Sequence, residues 1–134
     1  MAIREVGPGQ THTTIQACHT AASAGDICNI HAATYTETVT VTKGITFRNN
    51  SGESPVLTGY FTIGATSNVT IDCNNGGGAM EITGFGTASV GVFGGVYQAN
   101  GSGLAGNGCV IHDGWGAGVY SRNSTKLTIT NNTI

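Results

Sequence analysis

Thr13-Thr-Ile-Gln-Ala-Cys-His-Thr-Ala-Ala-Ser-Ala24, followed by Gly25-Asp26 and then Ile27-Cys-Asn-Ile-His31, Thr36-Glu-Thr-Val-Thr-Val-Thr42 and Ile45-Thr-Phe47, is the stretch that decides the fold. Its first part has apolar residues at helical spacing. Thr13 and Gln16 stand at capping-box distance, and Gly25 is placed to stop a helix, so one short helix is expected there. The three runs that follow are rich in β-branched residues and are separated only by Ala32-Ala-Thr-Tyr35 and Lys43-Gly44. No Asn-Gly or similar hairpin signal lies between them, so the chain is expected to turn corners and not to double back.

The phrase recurs. Apolar residues ending its first strand are Ile30, Leu57, Ile82, Ile111 and Ile134, at intervals of roughly 23 to 29 residues, the repeat length of stacked units. Second-strand counterparts are Val41, Ile63, Val92 and Val119. Third-strand counterparts are Phe47, Ile71, a place near Val96, and Ile129. Asn68-Val-Thr-Ile-Asp-Cys-Asn-Asn75 and Lys126-Leu-Thr-Ile-Thr-Asn-Asn132 are alike in residue type, and Gly44-Ile-Thr-Phe-Arg-Asn-Asn50 is a looser copy.

On these residues the chain resembles right-handed parallel β-helix proteins of the pectin-lyase-like superfamily. Val6-Gly-Pro-Gly9, Thr14-Ile-Gln-Ala17, Ala24-Gly-Asp-Ile27 and Tyr35-Thr-Glu37 look like the start of such a domain. The stretch from Asn107 to Ile134, with Ile111-His-Asp113, Gly118-Val-Tyr120 and Asn131-Asn-Thr-Ile134, looks like the coils of NosD-like, repeat-bearing members. The resemblance implies an all-β, right-handed, single-stranded parallel β-helix of about four coils in one domain, 1–134. Residues 1–25 would form an N-terminal segment with a capping helix, and 26–134 the coils. Inward columns would hold Ile45, Val69 and Leu127, and beside them Phe47, Ile71 and Ile129.

Function is less constrained by that likeness, because the superfamily hosts lyases, hydrolases, esterases, tailspikes and non-catalytic surface proteins. Its lyases bind calcium through clustered carboxylates and its hydrolases use Asp clusters. Here the seven acidic residues, Glu5, Asp26, Glu37, Glu53, Asp72, Glu81 and Asp113, are scattered through the sequence. Neither catalytic residues nor a cofactor is expected, with a calcium site joining two of these acids as the minor alternative. His31 and His112 are expected three coils apart, too far to share a metal ion. His12 and His19 are expected at the surface near the helix. Asp26 is assigned to the turn after the helix, and Glu37 to a structural role.

Composition narrows the partners. Charged residues make up 9% of the chain and the formal net charge is −2, so the basic footprint of a nucleic-acid binder is missing. No apolar run approaches the roughly 20 residues that span a bilayer. Met1-Ala-Ile-Arg4 has no apolar core before Gly7-Pro-Gly9, so no signal peptide is expected at this start. The four cysteines favour an oxidising compartment and an extracellular or cell-surface location. Cys18 with Cys28 is the expected disulfide, pinning helix to strand, with two small buried hydrophobes as the alternative; Cys73 with Cys109 is not expected.

Two kinds of contact remain. Tyr60, Tyr97, Trp115 and Tyr120 are candidates to stack on sugar rings of a polysaccharide. At the far end, Thr128, Ile129, Asn131, Asn132, Thr133 and Ile134 stop in mid-phrase, so an uncapped edge is expected to pair with a further part of a longer protein or with another copy, giving a homo-oligomer or filament. The leading expectation is a non-catalytic extracellular structural module that self-associates and contacts polysaccharide. The alternative is the N-terminal piece of a polysaccharide lyase or other carbohydrate-active enzyme. Asn49, Asn68, Asn100, Asn123 and Asn131 each begin an Asn-x-Ser/Thr acceptor sequence.

Overall fold

A computed structural model of the chain describes residues 1–64, 66, 68–84, 94–99, 105–112, 117–122 and 128–130. Its elements in order are β1 (Ile3–Val6), α1 (Ile15–Ala21), β2 (Ile27–Ile30), β3 (Thr34–Val41), β4 (Thr46–Asn49), β5 (Val56–Ile63), β6 (Thr70–Asp72), β7 (Glu81–Thr83), β8 (Gly94–Ala99), β9 (Ala105–Asn107), β10 (Val110–His112), β11 (Ala117–Arg122) and β12 (Thr128–Thr130). Among the described residues the strands form two sheets, and every pairing between named strands is parallel. The first sheet runs β1-β2-β4-β6-β9-β12. The second runs β10-β7-β5-β8-β11, with β3 on the other side of β5.

The alternation in β3 explains why it is a strand. Tyr35, Val39 and Val41 are buried, while Thr34, Thr36, Thr38 and Thr40 are exposed, the period of two that one covered face requires. In β5, Leu57, Phe61 and Ile63 repeat the buried set in register with Tyr35, Val39 and Val41. Between them Glu37 faces Gly59, whose φ is +148°. A β-carbon there would collide with the Glu37 carbonyl oxygen, so only glycine lets the two strands approach. Beyond Gly59 the next layer divides: the start of β5 pairs with β7 and its end with β8.

Both sheets contribute to one buried cluster. Cys28, Phe47 and Ile71 occupy consecutive register positions in the first sheet, and Leu57 and Ile82 do so in the second. Phe47 and Phe61 join the two sets, with ring centroids 5.1 Å apart and planes tilted by 58°.

Several expected positions shift. Ile30 does not share a column with Leu57, Ile82 and Ile111: it pairs with Val6 and Asn49 in the first sheet, whereas Leu57, Ile82 and Ile111 follow Tyr35 in the second. Phe47 and Ile71 are direct partners, but the next position is Gly106, followed by Ile129; Val96 lies in the second sheet, opposite Phe61 and Val119. Val92 and Leu127 lie outside the described residues.

The helix is also shorter than expected and begins one residue later. Thr14 is its N-cap and accepts a hydrogen bond from the Ala17 N–H, and the last helical residue is Ala21. With Thr14 as N-cap the third helical position is Ala17, so Gln16 makes no capping box, and a distant side chain binds the first N–H groups of the helix. Glu37 accepts from the N–H groups of Ile15 and Gln16 at 3.0 and 2.8 Å. At the other end the Lys43 ammonium donates to the carbonyls of His19, Thr20 and Ala22. Acid at the start and base at the finish both match the helix dipole.

Candidate functional site

Two regions, one on each sheet, carry the chain's chemistry. On the first sheet, Glu5, Asn29, Arg48 and Asp72 are successive register partners. The Asn29 amide donates to Glu5 Oε2 at 2.9 Å, and Arg48 Nε donates to Asn29 Oδ1 at 3.0 Å. His31, just past β2, places Nε2 2.7 Å from Glu5 Oε2 and Nδ1 3.7 Å from Glu53 Oε2. Glu53 is anchored in turn by the Ala32 N–H at 2.6 Å and the Asn50 amide at 3.0 Å.

Hydrogen bonds hold both acids below the usual carboxylate range. For Glu5 the Asn29 amide acts most strongly, opposed by burial and reinforced by His31. For Glu53 the Ala32 N–H leads, followed by the Asn50 amide. The sequence shows Glu5, His31 and Glu53 as isolated residues; the registers of β1 and of β4 on β2 bring them together. The signal available beforehand was the repeat length, which separates Glu5 from Asn29.

What this cluster can do chemically is limited. His31 has a carboxylate beside each ring nitrogen, and the two acids lie on different sides of the ring. Among the described residues no group of three or more His, Cys, Asp or Glu is arranged to hold a metal ion. The cluster joins β1 to the turn after β4. Tyr35 completes it, its hydroxyl donating to the His31 carbonyl at 2.7 Å. Burial, with the charges of Glu37 and Glu53, pushes the Tyr35 phenol up to about 12.

The second region lies on the second sheet. Tyr97 and Tyr120 are register partners on β8 and β11, and Tyr97 is also the partner of Thr62 on β5. Tyr60, two residues before Thr62, is half-buried and packs against the core. Three of the four aromatic candidates thus fall on adjacent strands of one sheet. Trp115 lies outside the described residues. Thr128 and Ile129 belong to β12, which pairs with β9; Asn131, Asn132, Thr133 and Ile134 lie outside the described residues.

Elsewhere, two sequence expectations are corrected. His19 is 3% exposed, not solvated: its ring stacks on Phe47 and its Nε2 accepts the Thr42 N–H at 3.0 Å. Burial foremost, and the nearby Lys43 charge, push its pKa down, which favours the neutral ring that such an acceptor requires. Cys73 and Cys109 are disulfide-bonded, as are Cys18 and Cys28. The second bridge closes because β9 lies directly beside β6, bringing Asn107 opposite Asp72, and Gly108 turns at φ +66°. Cys109 therefore lies next to Cys73.

Against known proteins, the chain matches no family model, no curated protein and no solved structure.

Proposed function

We propose that this chain is a non-catalytic structural module, a right-handed parallel β-helix lidded by α1, that works outside the cell and contacts polysaccharide along the second sheet. Among the described residues every pairing between named strands is parallel, which supports the architecture, since strands a repeat apart become neighbours. The two disulfides fit an oxidising location. The observation that carries the contact surface is the register of Tyr97 with Tyr120, beside Thr62 and next to Tyr60. Aromatic residues one strand spacing apart, about 4.8 Å, with hydroxyl neighbours, offer stacking and hydrogen bonds to successive sugar rings.

Affinity electrophoresis through gels containing a panel of neutral and acidic polysaccharides tests this reading. Retardation by at least one polymer is expected, and the Tyr97→Ala/Tyr120→Ala variant should bind about tenfold more weakly, about 1.4 kcal/mol. Unretarded migration through every gel would remove the polysaccharide role.

Self-association is a second reading, favoured by a difference between strand edges. The free side of β3 is covered by α1, whereas among the described residues β12 is paired only with β9. Either a further stretch of polypeptide or a second copy can supply the next strand. Light scattering after size exclusion distinguishes them: a concentration-dependent oligomer supports the second copy, and a monomer at all concentrations speaks against it.

A further inference from the structure

The acceptor sequences differ in how the fold treats their asparagines, and the difference singles out Asn68. Gly25, Gly44 and Asn68 each stand two residues before a strand of the first sheet, ahead of Ile27, Thr46 and Thr70, which are successive register partners. They therefore occupy one stacked corner, and the Gly25 N–H donates to the Gly44 carbonyl at 2.8 Å. Asn68 has a φ of +61°, a left-handed conformation that asparagine tolerates better than most residues, and it is exposed. The two glycines beside it leave a groove lined by Ala24, Gly25, Gly44, Thr46, Thr66 and Asn68. A β-carbon built on Gly25 meets nothing within 4 Å, so the space over Gly25 is open.

Asn49 is the opposite case. It is fully buried, its Nδ2 donates to the carbonyls of Asn50, Glu53 and Asn75, and its Oδ1 accepts the Asn75 N–H. A sugar on that nitrogen would take its place among three carbonyls in the interior.

We infer that Asn68 is an acceptor site for an N-linked oligosaccharide, whose first sugar rests over the Gly25 and Gly44 corner, and that Asn49 is closed to the same modification in the folded protein. In the transfer, Asn68 Nδ2 bonds to the anomeric carbon of a lipid-diphosphate-linked oligosaccharide. The bond from that carbon to the diphosphate oxygen breaks, and the displaced amide proton leaves with the lipid diphosphate. No oxidant or reductant is involved. Transfer acts before Thr70 pairs into β6; a chain modified at Asn68 can then fold around its exposed corner, whereas one modified at Asn49 cannot form its buried corner and does not reach the folded, secreted state.

The test is expression of the full chain through the secretory route of a glycosylating eukaryotic cell, with a terminal acceptor tag to report that the transferase reached it. Site-resolved mass spectrometry of the secreted protein should find glycan on Asn68 and none on Asn49. Asn68→Gln and Thr70→Val should each remove the Asn68 glycan. If the protein is retained in the cell, translation with microsomes gives the same reading of Asn68. A glycosylated tag with bare Asn68 overturns the inference, and so does secreted, folded protein carrying glycan on Asn49.

Discussion

Gln16 stands in for a neighbouring strand at Thr40: its Oε1 accepts the Thr40 N–H at 2.7 Å and its Nε2 donates to the Thr40 carbonyl at 3.3 Å. Two residues on, His19 accepts the Thr42 N–H. The side of β3 away from β5 thus meets helix side chains, which blunts an edge otherwise available for pairing with another chain. Gln16→Ala removes both partners of Thr40 and should destabilise the fold by about 1 to 2 kcal/mol. The same variant should aggregate faster in thioflavin-monitored incubation at equal fractions unfolded. Unchanged urea midpoint and aggregation rate would show that water replaces the amide without loss.

The clamp on α1 makes a second prediction. With 7 residues the helix is too short to be stable alone, so its ends depend on Glu37 and Lys43. Glu37→Ala leaves two N–H groups without their carboxylate and should cost about 1 to 2 kcal/mol. Glu37→Gln retains an acceptor oxygen and should cost less, about 0.5 to 1 kcal/mol. Equal losses in urea unfolding would assign the effect to packing and not to the capping charge.

Asn49 and Asn75 form the most tightly specified corner. Besides the bonds from Asn49, Asn75 Nδ2 donates to the Asn49 carbonyl at 3.1 Å. Asn49→Asp places an oxygen where Nδ2 donates to three carbonyls, while Asn49→Leu leaves the Asn75 N–H without its acceptor. The first should cost about 3 kcal/mol or more and the second about 1 to 3 kcal/mol. Thermal denaturation of both variants decides the order; a milder effect for aspartate would mean that the corner opens to water.

How much of this was legible follows from where the information is local. The helix near Ile15, the strands near Ile27, Thr36 and Thr46, and the direct pairing of Phe47 with Ile71 follow from periodicity and similarity of phrase. The column for Ile30 does not, because the spacing between partners contracts from Ile27 to Thr46 and stretches from Thr70 to Ala105. A uniform repeat misplaces residues where layer lengths differ. That error also hid the Cys73–Cys109 bridge. Likewise, Glu37 as a helix cap and Glu5 beside His31 depend on contacts across more than 20 residues, for which the sequence carries no local mark.

The two disulfides should differ in effect. Cys18–Cys28 closes a separation of 10 residues and Cys73–Cys109 one of 36. In the chain-entropy view the longer loop gives the larger gain, with both near 2 to 4 kcal/mol. Paired Cys→Ser variants measured in urea should therefore lose more stability for Cys73/Cys109. The reverse order would mean that the Cys18–Cys28 link stabilises the native lid beyond its effect on the unfolded chain.

Stability should fall in two stages as the solution is acidified, and again at high pH. His19 has a depressed folded pKa, so the unfolded chain takes up its proton first; this contribution is complete above the ordinary imidazole value of 6.5 and is lost as pH falls towards the folded value. Asp26 comes later. The Ser23 and Ala2 N–H groups, then Arg4, hold it at about 2, so its contribution persists above the ordinary carboxylate range and disappears down to that pH. Glu5 and Glu53, also depressed, act in the same direction. Tyr35 has the opposite sign: its raised pKa favours the neutral phenol in the fold, so stability declines as pH climbs from about 10 to about 12. Urea midpoints measured across this range should form a plateau between neutral pH and about 10, with a shallow step below 6.5 and a steeper loss below 4. His19→Gln can still accept the Thr42 N–H but does not titrate, so it should erase the shallow step and leave the steeper one. If that step survives in the variant, its origin is not the buried imidazole.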